Sequence, residues 1–306
     1  MSLQEEKTFD EAKNMSKKSK KITFIFFTFN EEKRIKNVIK NVNNYGKVLL
    51  IDNFSTDETK KIASSNGAKI VLYKNVGYGG DLGSFNKLTE HVDTPYIFIG
   101  SASEYVPRQI LEECKTIAAG SENSSYRALA CARLEITGGK WIQRKKPTKN
   151  SLKKRPRFLL LKHLNLDNHR IHHEWTSNCP YKDIKVLDFG PQTCIHHLRN
   201  YDVATSEIKH SLYGTNEAEQ KYNQGRRVNL FTILIRTFLE FYKSYISKKD
   251  FLSGRIGVIN SLMRAQMQMN IGLKIWEKQH KITLEEIIER NNQYRNEHAL
   301  KELNNE

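Results

Sequence analysis

Apolar positions in this 306-residue chain form short continuous runs, and from Lys21 onward these alternate with helix-length amphipathic stretches. Ile22–Thr28 is an unbroken β-branched and aromatic run, the pattern of a strand covered on both faces. Asn30 then predicts a helix start, with Glu31 and Glu32 in a first turn where carboxylates suit the positive end of the dipole. Ile35, Val38, Ile39 and Val42 follow at helical spacing. Residues 48–51 predict a second strand, and Ser55 or Thr56 caps a second helix with Asp57 and Glu58 in its first turn. Gly67 ends that helix before a third strand at 69–72. A glycine-rich loop at 77–83 leads into a helix around 85–91, and 95–99 reads as a fourth strand. The alternation predicts an α/β fold with a doubly wound, mostly parallel sheet, whose ligands sit at the carboxyl ends of the strands.

The flanking regions differ. Residues 1–20 are polar and charged without an apolar period and predict a flexible basic tail; 21–200 read as the α/β domain and 201–306 as a helical region. Short strand-like runs occur at 128–136 and 185–189. In the C-terminal region Phe231, Ile235, Phe238 and Tyr242 form an apolar stripe, and further helices are expected near 253–279 and 284–303. Lysines 17, 18, 20 and 21 ahead of Ile22 imitate a signal peptide, but Asn30-Glu31-Glu32-Lys33-Arg34 follows at once with no small-residue cleavage site. No run of eighteen apolar residues predicts a spanning helix. Cys114, Cys131, Cys179 and Cys194 have neither zinc-site spacing nor the density of a disulfide scaffold, which predicts buried thiols in a cytoplasmic protein.

Charge adds a second signal. Fifty Lys and Arg against 34 Asp and Glu give a net +16, which calls for polyanionic company. Between residues 140 and 170, eleven Lys/Arg face one Asp, a net +10 in one stretch. No RNP, KH, helix-turn-helix or zinc-finger signature accompanies it, so nucleic acid is not the expected partner. An anionic membrane surface or a phosphorylated ligand is.

Two segments concentrate candidate chemistry at predicted strand ends: Thr28-Phe29-Asn30-Glu31, and Asp52-Asn53-Phe54-Ser55-Thr56-Asp57-Glu58-Thr59. Singly, these residues read as caps and turn formers; jointly, their spacing reads as a nucleotide site, with Asp52 able to accept from a base N–H or ribose hydroxyl. T-x-N-E, then D-x-x-S-x-D-x-T, then a glycine loop ending at Asn86, resembles family 2 glycosyltransferases of the GT-A fold. Ile171-His172-His173-Glu174-Trp175 resembles the H-E segment of that family's lipopolysaccharide-core branch. His197-Leu198-Arg199-Asn200 with Lys209, Tyr213 and Ala218, and the turn from Phe251 to Gly257, are similar to later motifs of the same branch.

The resemblance implies a hexosyltransferase using a nucleoside diphosphate sugar, a UDP-sugar for preference. It also implies inversion at the anomeric carbon and a surface glycan or lipid-linked acceptor reached at the inner face of the cytoplasmic membrane. Thr28, Asn30, Glu31, Asp52, Asn53 and Ser55 would line the donor pocket, with Asp81, Asn86, Ser101 and Ser103 near the ribose and diphosphate. The glycines at 77, 79 and 80 would admit the backbone. Glu174 would be the general base, and His172, His173, His197 and Arg199 would line the acceptor and diphosphate region. H-x2-H-H at 169–173 also has the spacing of a metal pair, though a zinc site needs a third convergent ligand.

One departure bears on mechanism. Where the family carries an acidic D-x-D that places a divalent cation on the donor diphosphate, this chain has Ser101-Ala102-Ser103-Glu104. Hard cations such as Mg²⁺ or Mn²⁺ want anionic oxygens. Three outcomes stay open: metal-independent transfer with Lys and Arg neutralising the diphosphate, a metal held by Glu104 alone, or a non-catalytic homologue that binds nucleotide or glycan. A sugar nucleotidyltransferase would want a glycine-rich loop directly after the first strand, where Thr28-Phe29-Asn30 stands. A basic binding protein is the remaining alternative.

Overall fold

The computed structural model describes residues 20–74, 88–120, 125–137, 139–142, 146–166, 175–199 and 202–303. The chain divides into two compact units, Met1–Trp141 with Lys146–Asn200, and Ile142–Lys145 with Tyr201–Glu306. In chain order the first unit carries β1 (Ile22–Thr28), α1 (Ile35–Val42), β2 (Lys47–Asp52), α2 (Thr59–Ser65), β3 (Lys69–Leu72), β4 (Tyr96–Ser101) and β5 (Glu104–Tyr105). It continues with α3 (Arg108–Ala119), β6 (Ala128–Ala130), β7 (Arg133–Thr137), β8 (Lys140–Ile142), α4 (Lys149–Lys153) and β9 (Phe158–Leu160). The short strands β10 (Leu164–Asn165), β11 (Thr176–Ser177), β12 (Ile184–Val186) and β13 (Ile195–Arg199) complete it.

A seven-stranded sheet runs β12-β6-β9-β4-β1-β2-β3. The β3-β2-β1-β4 half is parallel throughout, and β9 runs antiparallel between β4 and β6. Both faces are buried, as the continuous apolar run of β1 requires. Ile22, Phe24 and Phe26 join α1 and α3 on one face, and Ile25 joins Leu49, Ile51, Ile97 and Leu159 on the other. Antiparallel β9 brings the basic 140–170 stretch against β4, placing Arg157 beside Ile99, whose amide donates to the Arg157 carbonyl at 2.9 Å. A four-stranded sheet, β5-β13-β7-β8, stands at the end of β4, and β10 pairs with β11.

The expected strands are present, with residues 88–91 helical at the end of the expected 85–91 helix. The 128–136 run is two strands, β6 and β7, in different sheets, and the 185–189 run shortens to β12. Two helix starts differ from expectation. α1 begins at Ile35 because Asn30 is left-handed (φ +53°) and the Glu31 carbonyl accepts from the Arg34 and Ile35 amides in a turn. α2 begins at Thr59 because the Ser55 and Thr56 groups expected to cap it bond elsewhere, and Asp57 takes the Thr59 amide instead. All four cysteines are buried free thiols. Burial pushes the Cys131 thiol up to about 12, so it is inert at neutral pH.

The second unit is helical: α5 (Val203–Asn223), α6 (Leu230–Tyr242), α7 (Gly254–Gln279) and α8 (Leu284–Leu303). Two of its motif residues, Ala218 and Gly257, are packing devices. Ala218 is fully buried with Ile271 and Ile275 of α7. A Cβ on Gly257 would come within 1.8 Å of the Asp250 carbonyl oxygen, so only glycine lets α7 cross the preceding turn. Among the described residues no helix is long and apolar enough to cross a membrane.

Candidate active site

The parallel register sets Thr28 beside Asp52 at the carboxyl ends of β1 and β2, the edge where ligands of such sheets bind. The loops beyond these strands are tied into one unit. The Asp52 carboxylate is completely buried; it accepts from the Thr28 hydroxyl (2.9 Å), the Ser55 amide (2.8 Å) and the Ser55 hydroxyl (2.6 Å). The Asn53 amide donates to the Thr28 carbonyl. The Asn30 amide donates to Ser55 Oγ (2.9 Å), and Asn30 Oδ1 accepts from the Thr56 amide (2.9 Å). The Glu31 and Glu32 amides reach the Thr59 hydroxyl and the Asp57 carboxylate. Burial pushes the Asp57 carboxyl up, but the hydrogen bonds it accepts from Thr59 and the Glu32 amide outweigh this and hold it below the usual range. Its contribution to the clasp is therefore present at neutral pH and lost as pH falls through that lowered range.

Six residues expected to line a donor pocket are thus brought together, with their polar atoms largely turned on one another. Asp52 has no exposed surface to offer a base, and the Glu31 carboxylate is held by Arg34 (Nε to Oε2, 2.6 Å). Phe29 and Phe54, the residues between the polar motif positions, are left half exposed at this edge. Phe54 holds φ +55°, costly for a bulky side chain and of the kind found at functional sites.

The turn after β4 is the second part of the site. The Ser101 and Ser103 hydroxyls hydrogen-bond each other at 2.8 Å. The side chain of Glu104 is 1% exposed; its Oε2 accepts from the Ser101 amide and is ion-paired with Arg157. Glu104 Oε1 accepts no hydrogen bond among the described residues and lies 3.8 Å from Arg133 Nη1. Arg133 also pairs with Glu135 at 2.8 Å, and Glu135 meets His197 Nδ1 at 2.9 Å. A chain of alternating charge therefore runs Arg157, Glu104, Arg133, Glu135 and ends on the His197 ring, from the residue before β9 through β5 and β7 to β13. A divalent cation does not suit this donor set. Two serine hydroxyls satisfy one another, and the single carboxylate lies between two guanidinium groups, where six anionic or neutral oxygens would be wanted. Among the described residues no three His, Cys, Asp or Glu side chains converge as a metal site.

Beside this turn a cleft of about 280 Å³ opens between α1 and β5, lined by Lys33, Arg34, Asn37, Ser103, Tyr105 and Leu198. Among the described residues Lys33 is its uncommitted cation, since Arg34 is paired with Glu31, and it suits an anionic group. Asp81, Asn86, the three loop glycines, His169, His172, His173 and Glu174 lie outside the described residues. Trp175, next to Glu174, is buried in the core with the Arg155 guanidinium over its ring at 5.2 Å. Arg199 is the last residue of β13.

Arg133, Glu135 and Arg157 escaped the sequence reading as individuals. Only Arg157 left a trace there, as one member of the basic stretch; the other two form a strand pair that nothing in the local pattern marks.

A Rossmann-like α/β sheet with motif-bearing loops at its carboxyl edge, followed by a helical region, is the GT-A architecture of nucleotide-sugar transferases. The chain belongs to glycosyl transferase family 2, whose model matches residues 23–184. It is 23% identical over 249 residues to an uncharacterized glycosyltransferase of Rickettsia typhi, covering 80% of this chain and 83% of the relative. A counterpart in Rickettsia bellii is 24% identical over 255 residues, covering 81% and 83%. Among solved structures it is similar to S. aureus TarS 1–349 (TM-score 0.43, 12% identity, 86% and 93% covered). It is also similar to glucosyl-3-phosphoglycerate synthase from Mycobacterium tuberculosis in complex with Mn²⁺, UDP-glucose and phosphoglyceric acid (TM-score 0.43, 11% identity, 70% and 83% covered).

Proposed function

We propose that this chain transfers a hexose from a nucleoside diphosphate sugar, a UDP-sugar for preference, to a hydroxyl of a surface glycan or lipid-linked acceptor, with inversion and without a divalent cation. The observation that carries this reading is the interlocked pair of loops built from Thr28, Asn30, Asp52 and Ser55 at the carboxyl edge of the sheet of a family 2 chain. These buried bonds fix the loop backbone and leave Phe29 and Phe54 facing outward, where a base stacks; aromatic faces suit such contacts. The likeness of the His172–Trp175 and Phe251–Gly257 segments to the lipopolysaccharide-core branch supports a bacterial surface glycan as acceptor.

In the proposed step the acceptor oxygen attacks the anomeric carbon while its proton passes to the Glu174 carboxylate. The bond from that carbon to the diphosphate oxygen breaks, and its electron pair leaves with the nucleotide. Lys33 offers positive charge to the departing diphosphate, and Arg157 already compensates Glu104, so no bare carboxylate at this turn repels it. Glu174→Gln should lower turnover by about 10²–10⁴ while leaving nucleotide binding unchanged, since it removes only general-base assistance. Calorimetric nucleotide titration beside a steady-state assay checks this, and retained turnover removes Glu174 from the role. A second reading, a non-catalytic homologue that binds nucleotide, is favoured by one observation, the closure of the Ser101–Glu104 turn on itself. It predicts nucleotide binding with no turnover in the unmodified protein.

A further inference from the structure

Helix α6 is apolar over more of its surface than its packing uses. Ile233 is its buried side chain, seated where a Cβ on Gly272 of α7 would come within 2.9 Å. Opposite it, Leu230, Phe231, Leu234, Phe238, Leu239 and Tyr242 sweep about half the helix circumference at helical spacing. All six are exposed, Phe231 at 71%, Phe238 at 66% and Leu234 at 61%. A surface helix needs one apolar stripe toward its core; this one carries a second, continued by exposed Ile246, Phe251 and Leu252. The aromatics do not all belong to it, since Phe241 stacks on Tyr245 at 5.4 Å and Tyr245 meets Phe251 edge-on.

Charge identifies the occupant. Residues 224–264 hold eight Lys/Arg and two Asp/Glu, a net +6. Of the two acids, Asp250 is buried and accepts from Ser244 and Asn260, and Glu240 lies 3.6 Å from Lys243. We infer that this face docks on an anionic lipid bilayer, with α6 in the plane of the interface, its Phe and Leu side chains at the acyl boundary and its flanking Lys and Arg among the headgroups. An exposed patch of this extent marks an interaction site, and a second copy of the chain is the competing occupant. Pairing two copies through this face would bring exposed cations such as Arg236, Lys249 and Arg255 near their own copies, whereas an anionic bilayer neutralises them. The face lies within the helical unit, and the inference does not rest on the transfer reading.

Flotation of the full chain with vesicles, run without donor or acceptor, is the test. The protein should float with phosphatidylcholine vesicles containing phosphatidylglycerol, poorly with phosphatidylcholine alone, and less as salt rises. Phe231→Ser/Phe238→Ser should weaken partitioning at least about tenfold with an unchanged melting temperature, because both rings are already exposed. Arg236→Glu/Lys249→Glu should abolish the preference for anionic vesicles. Failure to float with anionic vesicles, equal flotation with neutral ones, or a dimer in solution that the double Phe variant dissociates would each overturn the inference.

Discussion

Asp52→Ala is expected to cost about 3–5 kcal/mol, because it strips three hydrogen bonds from a buried anionic acceptor and leaves their donors unsatisfied. Those donors are the Thr28 hydroxyl and the Ser55 amide and hydroxyl, and Ser55 Oγ is also what receives the Asn30 amide. Loss of the carboxylate therefore releases both loops, not one. The melting temperature should fall by about 6–20 °C, at about 2–4 °C per kcal/mol for a domain of this size. Nucleotide binding should fall with it, because the loops that form the edge lose their fixed backbone. Thr28→Val removes a single donor and should cost about 1–2 kcal/mol. Thermal melts of the two variants side by side decide the matter; equal effects would mean that Asp52 does not organise the clasp.

The second large effect is expected at Arg157. Its guanidinium is paired with the Glu104 carboxylate, whose side chain is 1% exposed, and the next cation, Arg133, stands 3.8 Å from the other carboxylate oxygen. Arg157→Ala strands a buried charge, at a cost of about 3–5 kcal/mol. Adding Glu104→Gln removes the stranded charge, so the double variant should be more stable than Arg157→Ala alone. That sign of coupling separates a buried ion pair from two independent contacts. Additive losses in a denaturant-unfolding cycle would contradict the pairing. Arg157→Ala should also weaken nucleoside diphosphate binding at the β4 edge by baring the Glu104 carboxylate, and Arg157→Ala/Glu104→Gln should restore binding together with stability.

The parallel half of the sheet was legible because continuous apolar runs and helical spacing are local patterns, and β1, β2 and α1 carry them without interruption. The helix starts differ from what the local pattern predicts for a reason that is also chemical. Asn30, Ser55, Thr56 and Asp57 are cap-forming residues by type, but here their short polar groups bond across two loops 25 residues apart, a pairing that no single window of sequence contains. The same limit applies at the β4 turn. The serines at 101 and 103 could be read directly, whereas the partners of Glu104 depend on an antiparallel β9 that brings Arg157 in from 53 residues downstream. Basic charge marked the stretch as a whole; topology selected the one arginine within it that pairs with Glu104. The apolar face of α6 lay between these cases, since its stripe was visible in the sequence but its exposure was not.

Thermal-shift measurement with UDP, GDP, CDP and dTDP, each in Mn²⁺ and in EDTA, decides whether this is a nucleotide-sugar transferase that holds its donor without a divalent cation. Saturating nucleotide at a hundredfold over its dissociation constant stabilises by about 2.7 kcal/mol, a rise of about 5–10 °C. Such a shift is expected for one nucleotide of the four, UDP for preference, of equal size in Mn²⁺ and in EDTA. A shift seen with Mn²⁺ and abolished by EDTA would contradict the metal-free reading, and no shift with any nucleotide would contradict the donor site itself.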